Sequence, residues 1–253
     1  MRIVNSLVIA FSTYSRIPMP QVEWSDENRR YVMCFFPLIG AVIALMLTGW
    51  LWLCDVLHIG TLLRGAVAAG VPLLVTGGIH LDGFMDTCDA LASWQTKERR
   101  LEILKDSHVG AFAVIGCCLY LLLDAAILGD AVISDAPLLG CAFVVSRSLS
   151  AWLMMILRSA RPGGMLDGFA RTTAVRKVTV SGTVYVIGCA VVWVLLGGWK
   201  GAACFIAAAL CALFYKRMAY KQFGGVTGDL AGWFLQITEL VLTAVIVMGG
   251  KIG

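Results

Sequence analysis

The chain has 253 residues, of which 59% are apolar and 14% charged, with a net charge of +4 at neutral pH and a mean hydropathy of +0.84. A soluble domain carries about a quarter charged residues, and no polar stretch here is long enough to build a core of its own. Composition therefore excludes a soluble protein, and the small, uneven charge gives no sign of a nucleic-acid partner. The nine cysteines form no CxxC pair and no Cys/His cluster with zinc spacing, and most lie in apolar runs, where cysteine serves as a small core residue.

In chain order, residues 1–20 hold a short apolar run broken by Asn5, Ser6, Ser12 and Ser15. An interfacial helix ending at Arg16-Ile17-Pro18-Met19-Pro20 is expected there, and no signal peptide, since no small-residue cleavage site follows. Residues 32–54 lack any charge and are long enough to cross a bilayer. Residues 65–79 form a shorter apolar segment, extended by Leu62 and Leu63 if Arg64 snorkels. A polar stretch at 80–107 contains an amphipathic surface helix around 97–106, with Leu101 and Leu104 on one face. Further spans are expected at 109–129, 136–157, 178–199, 201–215 and 230–250. The polar loops between them fall at 158–177 and 216–229, and the first of these carries Pro162-Gly163-Gly164, Asp167-Gly168 and Arg171. Asp124, within its span, reads as a helix-end residue near the outer face. The fold class is thus an all-α, polytopic membrane helix bundle of about seven transmembrane helices plus short interfacial helices, forming one domain over 1–253.

The distribution of Lys and Arg orients the bundle. With the N-terminus in the cytoplasm, the N-terminal segment and the loops at 80–107, 158–177 and 216–229 share one side and hold 16 of the 20 basic residues. The other side keeps only Arg64, Lys200 and Lys251. Positive charge is retained on the cytoplasmic side, so every glycine-rich and charged loop is expected there, open to cytoplasmic nucleotides.

The run Gly77-Gly78-Ile79-His80-Leu81-Asp82-Gly83-Phe84-Met85-Asp86-Thr87-Cys88-Asp89 organises the rest. Asp82, Asp86 and Asp89 stand at i, i+4 and i+7, one face of a helix. Three adjacent acids repel one another unless a cation sits against them, and carboxylate oxygens suit a hard divalent ion such as Mg²⁺. A solvated acidic turn is the plainer alternative. The second glycine-rich stretch, Gly224-Gly225-Val226-Thr227-Gly228-Asp229, ends as the last span begins, so Asp229 joins the first cluster across the bundle. Two acid clusters at one depth suit paired metals acting on a phosphoryl group. Arg158 and Arg161 are candidate phosphate contacts, or else only topology determinants. Glu239 lies inside the last span, where an acid needs a partner, and Arg147 is the evident one; the pair either locks two helices or serves a substrate.

These blocks, with others, resemble the cobalamin (5′-phosphate) synthase family, also called adenosylcobinamide-GDP ribazoletransferases. Gly77 to Asp89 is similar to that family's G-G-x-H-x-D-G-x-x-D-x-x-D-G. Arg16 to Pro20, Phe36-Pro37-Leu38-Ile39-Gly40, Glu102-Ile103-Leu104-Lys105-Asp106-Ser107-His108-Val109-Gly110 and Gly224 to Asp229 resemble four further family blocks in the same order. Ala90 stands where the family pattern has Gly, His108 where it often has Arg, and Gln236 where an acid is common. The resemblance implies a bacterial inner-membrane enzyme whose active site faces the cytoplasm. Its substrates would be adenosylcobinamide-GDP and α-ribazole or its 5′-phosphate, and Mg²⁺ its cofactor. For such chemistry the acidic blocks offer Asp82, Asp86 and Asp229 as metal ligands, Asp89 as either a further ligand or the base for the ribose hydroxyl, and His80 as a weaker base candidate whose plainer role is a helix-end hydrogen bond. Arg16, Lys105, Asp106, Arg147, Arg158, Arg161 and Glu239 become candidates for substrate contact. Two other readings remain open on the residues alone. One is a Mg²⁺-dependent phosphotransferase using a CDP-alcohol or a polyprenyl diphosphate, although Met85-Asp86 stands where a CDP-alcohol enzyme has Ala-Arg. The other is an ion-coupled transporter, although the chain has no internal repeat. Small residues such as Gly182, Gly188 and Gly197 could serve packing within one chain or in a homo-oligomer.

The charge asymmetry sets a first test. Alkaline phosphatase fused after residue 60 or 200 is expected to be active outside the cell, and fused after residue 105 or 222 to be inactive.

Overall fold

The computed structural model describes residues 2–161 and 173–251, so Pro162, Gly163, Gly164, Asp167, Gly168 and Arg171 lie outside the described residues. Helix α1 (Arg2–Tyr14) and the short α2 (Asp26–Arg29) precede α3 (Val32–Val56). Then follow α4 (Thr61–Thr76), α5 (Ile79–Ala92), α6 (Lys97–Ile103) and α7 (Ala111–Gly129). After a 3₁₀ turn at Ile133–Asp135 come α8 (Ala136–Ile156), α9 (Val175–Gly197), α10 (Trp199–Phe223) and α11 (Gly228–Gly249). Six of these, α3, α7, α8, α9, α10 and α11, are long and apolar enough to cross a membrane. A seventh crossing exists if α4 and α5, bent by 100° at their junction, count together. The protein is a multi-pass membrane helix bundle, as its composition requires.

The bend is built by glycine. Gly77 and Gly78 have φ of +66° and +78°, a left-handed conformation that side chains resist. The amides of both donate to Leu73 O, closing α4, and α5 leaves in a new direction. With 14 residues α5 is too short to span, and it lies across the charged end of the bundle.

At the centre, α8 and α11 bury most of their surface, whereas α7, α9 and α10 turn most of theirs outward. The outward faces carry Val184, Val194, Leu195, Leu210 and Leu213, all exposed and all suited to lipid. Close helix approach again uses glycine: a Cβ on Gly40 would stand 2.4 Å from the carbonyl oxygen of Phe143, and one on Gly65 1.9 Å from that of Ala125.

The described parts of the polar loops gather at one end. Arg16 N donates to Val75 O, Ala174 N to Arg30 O, and Val226 N to Arg158 O, while Arg100 bonds Gln222. At the opposite end each basic residue meets an aspartate: Arg64 with Asp55, Lys200 with Asp135 and Lys251 with Asp130. Two spans differ from expectation: the segment expected at 65–79 is α4, which stops at Thr76 before the double-glycine turn and crosses only if α5 is counted with it. The segment expected at 201–215 is the 25-residue α10, which continues through Lys216, Arg217 and Lys221. Hydropathy marks where hydrocarbon ends, and a helix of Lys, Arg and Met residues does not stop there.

Asp124 also departs from its expected place. It is only 5% exposed and within electrostatic reach of Tyr120 and Glu239, inside the bundle. Nearby, Arg147 on α8 is fully buried and bonds Glu239 on α11 at 2.5 Å; Glu239 also accepts from Ser146 Oγ at 2.7 Å. Gln236, one turn away, accepts from Tyr120 OH at 2.6 Å. Removing one partner of a buried ion pair leaves a stranded charge. Arg147→Met is therefore expected to destabilise the detergent-solubilised protein by about 3–5 kcal/mol. Arg147→Met with Glu239→Leu is expected to recover most of that loss, both read by thermal unfolding.

Candidate active site

The site begins where α5 crosses the start of α11. Gly83 allows the crossing: a Cβ there would stand 2.8 Å from both Cα and the carbonyl oxygen of Asp229. On the other side, a Cβ on Gly232 would stand 2.9 Å from His80 O. Two glycines, one per helix, thus bring the backbones together and place Asp82 and Asp86 near Asp229. Thr227 caps α11, its hydroxyl accepting from Leu230 N at 3.2 Å and lying 3.4 Å from Asp229 Oδ2.

Electrostatics follow from this crowding. Asp86 is held up to about 6, first by burial and then by the carboxylates of Asp82, Asp229 and Asp89. Among the described residues, no three His, Cys, Asp or Glu side chains form a ready-made metal cluster. The donor set still fits Mg²⁺, which commonly keeps several waters and binds through one or two carboxylates plus substrate phosphates.

Asp89 has a different occupation. Its Oδ2 accepts from Gly110 N at 2.6 Å and its Oδ1 from Ala113 N at 2.8 Å. It caps α7, whose own N-cap residue is a glycine without a side chain. His80 is 7% exposed, and its Nε2 has no hydrogen-bond partner. Burial, with Arg147 adding to it, pushes its imidazole down to about 3, so it stays neutral and is a poor base.

The basic candidates divide by position. Arg161 reaches Asp229 at 4.0 Å while donating to Leu101 O at 2.6 Å. Arg16 folds over the double-glycine turn: a Cβ on Gly77 would stand 2.2 Å from its Nε. Arg158 and Lys105 are exposed, the former pairing through its backbone with Val226. Asp106 is exposed and accepts from His108 N at 3.0 Å; bonds from His108 hold its carboxyl below the usual range. Arg147 and Glu239 lie in the interior, engaged with one another. Two contributors escaped the sequence. Thr227 was signalled by a threonine just before a helix, the N-cap position. Tyr14, packed against Phe36 and His80, carries no sequence signal beyond an apolar helix end.

These features define a multi-pass membrane protein with a carboxylate site at its loop-bearing end. The chain matches the family described as cobalamin-5-phosphate synthase over residues 6–247 and belongs to it. Similar curated proteins carry the name adenosylcobinamide-GDP ribazoletransferase. One from Lachnoclostridium phytofermentans is 41% identical over 253 residues, covering 100% of this chain and 97% of its own. One from Desulfitobacterium hafniense is 37% identical, covering 94% of each chain. One from Geobacillus thermodenitrificans is 32% identical, covering 96% of this chain and 95% of its own. No solved structure matches the chain significantly.

The cap predicts a separation of roles. Asp89→Ala is expected to lower stability by about 1–2 kcal/mol, the usual loss of a helix cap. Asp89→Asn, which keeps an acceptor for one amide, is expected to restore most of it and much of the turnover.

Proposed function

We propose that this chain transfers the adenosylcobinamide-phosphate moiety of adenosylcobinamide-GDP to α-ribazole or its 5′-phosphate. The products are adenosylcobalamin or its 5′-phosphate, and GMP. The observation that carries this reading is membership of the cobalamin-5-phosphate synthase family across nearly the whole chain, with relatives named for that transferase activity. The carboxylate site supplies a place for such chemistry.

In the transfer, a ribose hydroxyl oxygen bonds to the phosphorus attached to cobinamide, the bond from that phosphorus to the GMP oxygen breaks, and the hydroxyl proton passes to water or to the departing GMP. Phosphoryl transfer of this kind depends on positioning and charge stabilisation more than on covalent help. Asp82, Asp86 and Asp229 would hold Mg²⁺, which when bound offsets the negative charge of the pyrophosphate. Asp82 and Asp86 come from α5 and Asp229 from the start of α11, so a bound ion would be held between the two helices. Arg161, tethered to Leu101 O, stands beside Asp229 and offers its guanidinium to the leaving phosphate. The enzyme sits in the bacterial inner membrane with this end toward the cytoplasm, a reading supported by the Lys/Arg bias.

Detergent-purified protein is expected to release GMP from adenosylcobinamide-GDP only with a ribazole acceptor and Mg²⁺. Asp82→Asn and Asp229→Asn are expected to lower turnover at least about 100-fold, the scale of losing charge stabilisation at a reacting phosphate, with thermal unfolding little changed. Full turnover in either variant would remove the acids from the site.

The raised proton affinity of Asp86 gives a pH test. A carboxyl held at about 6 is increasingly protonated as pH falls through 6, and a metal binds only the carboxylate. The Mg²⁺ concentration for half-maximal activity is therefore expected to rise steeply between pH 7 and pH 5.5. Asp86→Asn is expected to flatten that dependence.

A further inference from the structure

A cavity of about 260 Å³ opens beside the acids, between α1, α3, α5, α8 and α11. Tyr14, Phe36, His80 and Met154 line it, and Asp82 and Asp229 stand in the same wall. Tyr14 and Phe36 pack with ring centroids 4.7 Å apart, and Phe36 meets the His80 ring edge-on at 5.5 Å. The Nε2 of His80 is buried with no partner among the described residues. A buried polar atom without a partner is costly and asks for one.

We propose that this cavity is the subsite for the base of the acceptor nucleoside, a planar and largely apolar bicycle, with His80 Nε2 hydrogen-bonding its free ring nitrogen. The inference rests on the proposed reaction and goes beyond it by naming where one substrate sits. Size decides first. Small-molecule sites usually begin near about 300 Å³, so this cavity holds one base and part of its sugar and excludes a corrinoid ring. Chemistry decides between the two bases present in the reaction. Guanine, carried by the donor, needs partners around its whole edge; Thr13, Ser150 and the two acids could meet part of it, but Phe36, Ile79, Met154 and Ala231 take up the rest of the wall and offer none. A benzimidazole-type base offers flat apolar faces to Tyr14 and Phe36 and a single lone pair. In its Nε2–H tautomer His80 supplies a donor for that lone pair, and its Nε2 is a buried donor atom without a partner among the described residues. The sugar then lies toward Asp82 and Asp229, where its hydroxyl must meet the phosphate.

The test is equilibrium binding to the detergent-purified full chain, using α-ribazole and an analogue whose free ring nitrogen is replaced by C–H. Wild type is expected to prefer α-ribazole by about five- to tenfold, the value of one hydrogen bond. His80→Phe is expected to bind the two equally, and His80→Gln, which keeps a donor, to retain part of the preference. Met154→Trp, which fills the cavity, is expected to weaken both by about tenfold or more, in line with overpacking a site. In turnover assays these variants are expected to raise the acceptor KM and leave that for adenosylcobinamide-GDP unchanged. Equal binding of both ligands by wild type, or a preference that survives in His80→Phe, would overturn the subsite. A rise in the donor KM alone would also overturn it, assigning the cavity to guanine. The proposed reaction fails by a different readout: wild type that releases no GMP with any ribazole acceptor, whatever its binding.

Discussion

Everything at the charged end depends on two helices touching backbone to backbone. Gly83 on α5 meets Asp229, and Gly232 on α11 meets His80. A side chain at either glycine would push the helices apart and separate Asp82 and Asp86 from Asp229. In a bilayer the hydrophobic effect gives no drive to press helices together, so close packing of small residues must do it. The acids repel one another, and the contact holds them at short range regardless. What two unpinned helices would relieve by moving apart is retained here as carboxylate crowding, which raises the proton affinity of Asp86.

The supports around that contact are chosen for rigidity. Two left-handed glycines turn α5 away from α4, Asp89 ties its far end to the start of α7, and Arg100 ties the following helix to α10. Behind it, the Arg147–Glu239 pair and the Tyr120–Gln236 bond join α8, α7 and α11. Geometry for phosphoryl transfer is sensitive to small displacements, and a helix pinned at both ends and along one side moves little.

Much of this could be read in the sequence, and the remainder was hidden for definable reasons. Apolar run length located six spans and marked the segment at 65–79 as short, because run length measures hydrocarbon thickness directly; it could not show that the helix breaks at Gly77. The same measure cut α10 short at Tyr215, since Lys and Arg end a hydrophobic run without ending a helix. The i, i+4, i+7 spacing placed Asp82, Asp86 and Asp89 on one helix. Periodicity says nothing of what lies opposite, and a second helix needing a cap took Asp89. Asp124 was misplaced for the same reason: its neighbours Tyr120 and Glu239 become evident only when α7 and α11 meet. His80 reads as a weak base candidate or a helix-end hydrogen-bonding residue, whereas its burial among Tyr14 and Phe36 is a property of three separate segments.

The quiet end of the bundle has its own consequence, and it concerns the order of manufacture. Asp130 and Asp135 flank the turn between α7 and α8, yet their partners are Lys251 and Lys200. A chain synthesised from its N-terminus presents that turn long before either lysine exists. The two aspartates wait in water, where an unpaired charge is well solvated, while α9 to α11 are threaded. Lys200 arrives with the hairpin between α9 and α10, and Lys251 only after α11 has crossed. The latch that closes this end is therefore completed by the segment leaving α11. Because that same helix carries Asp229, the charged end acquires its third acid at the same step of biosynthesis.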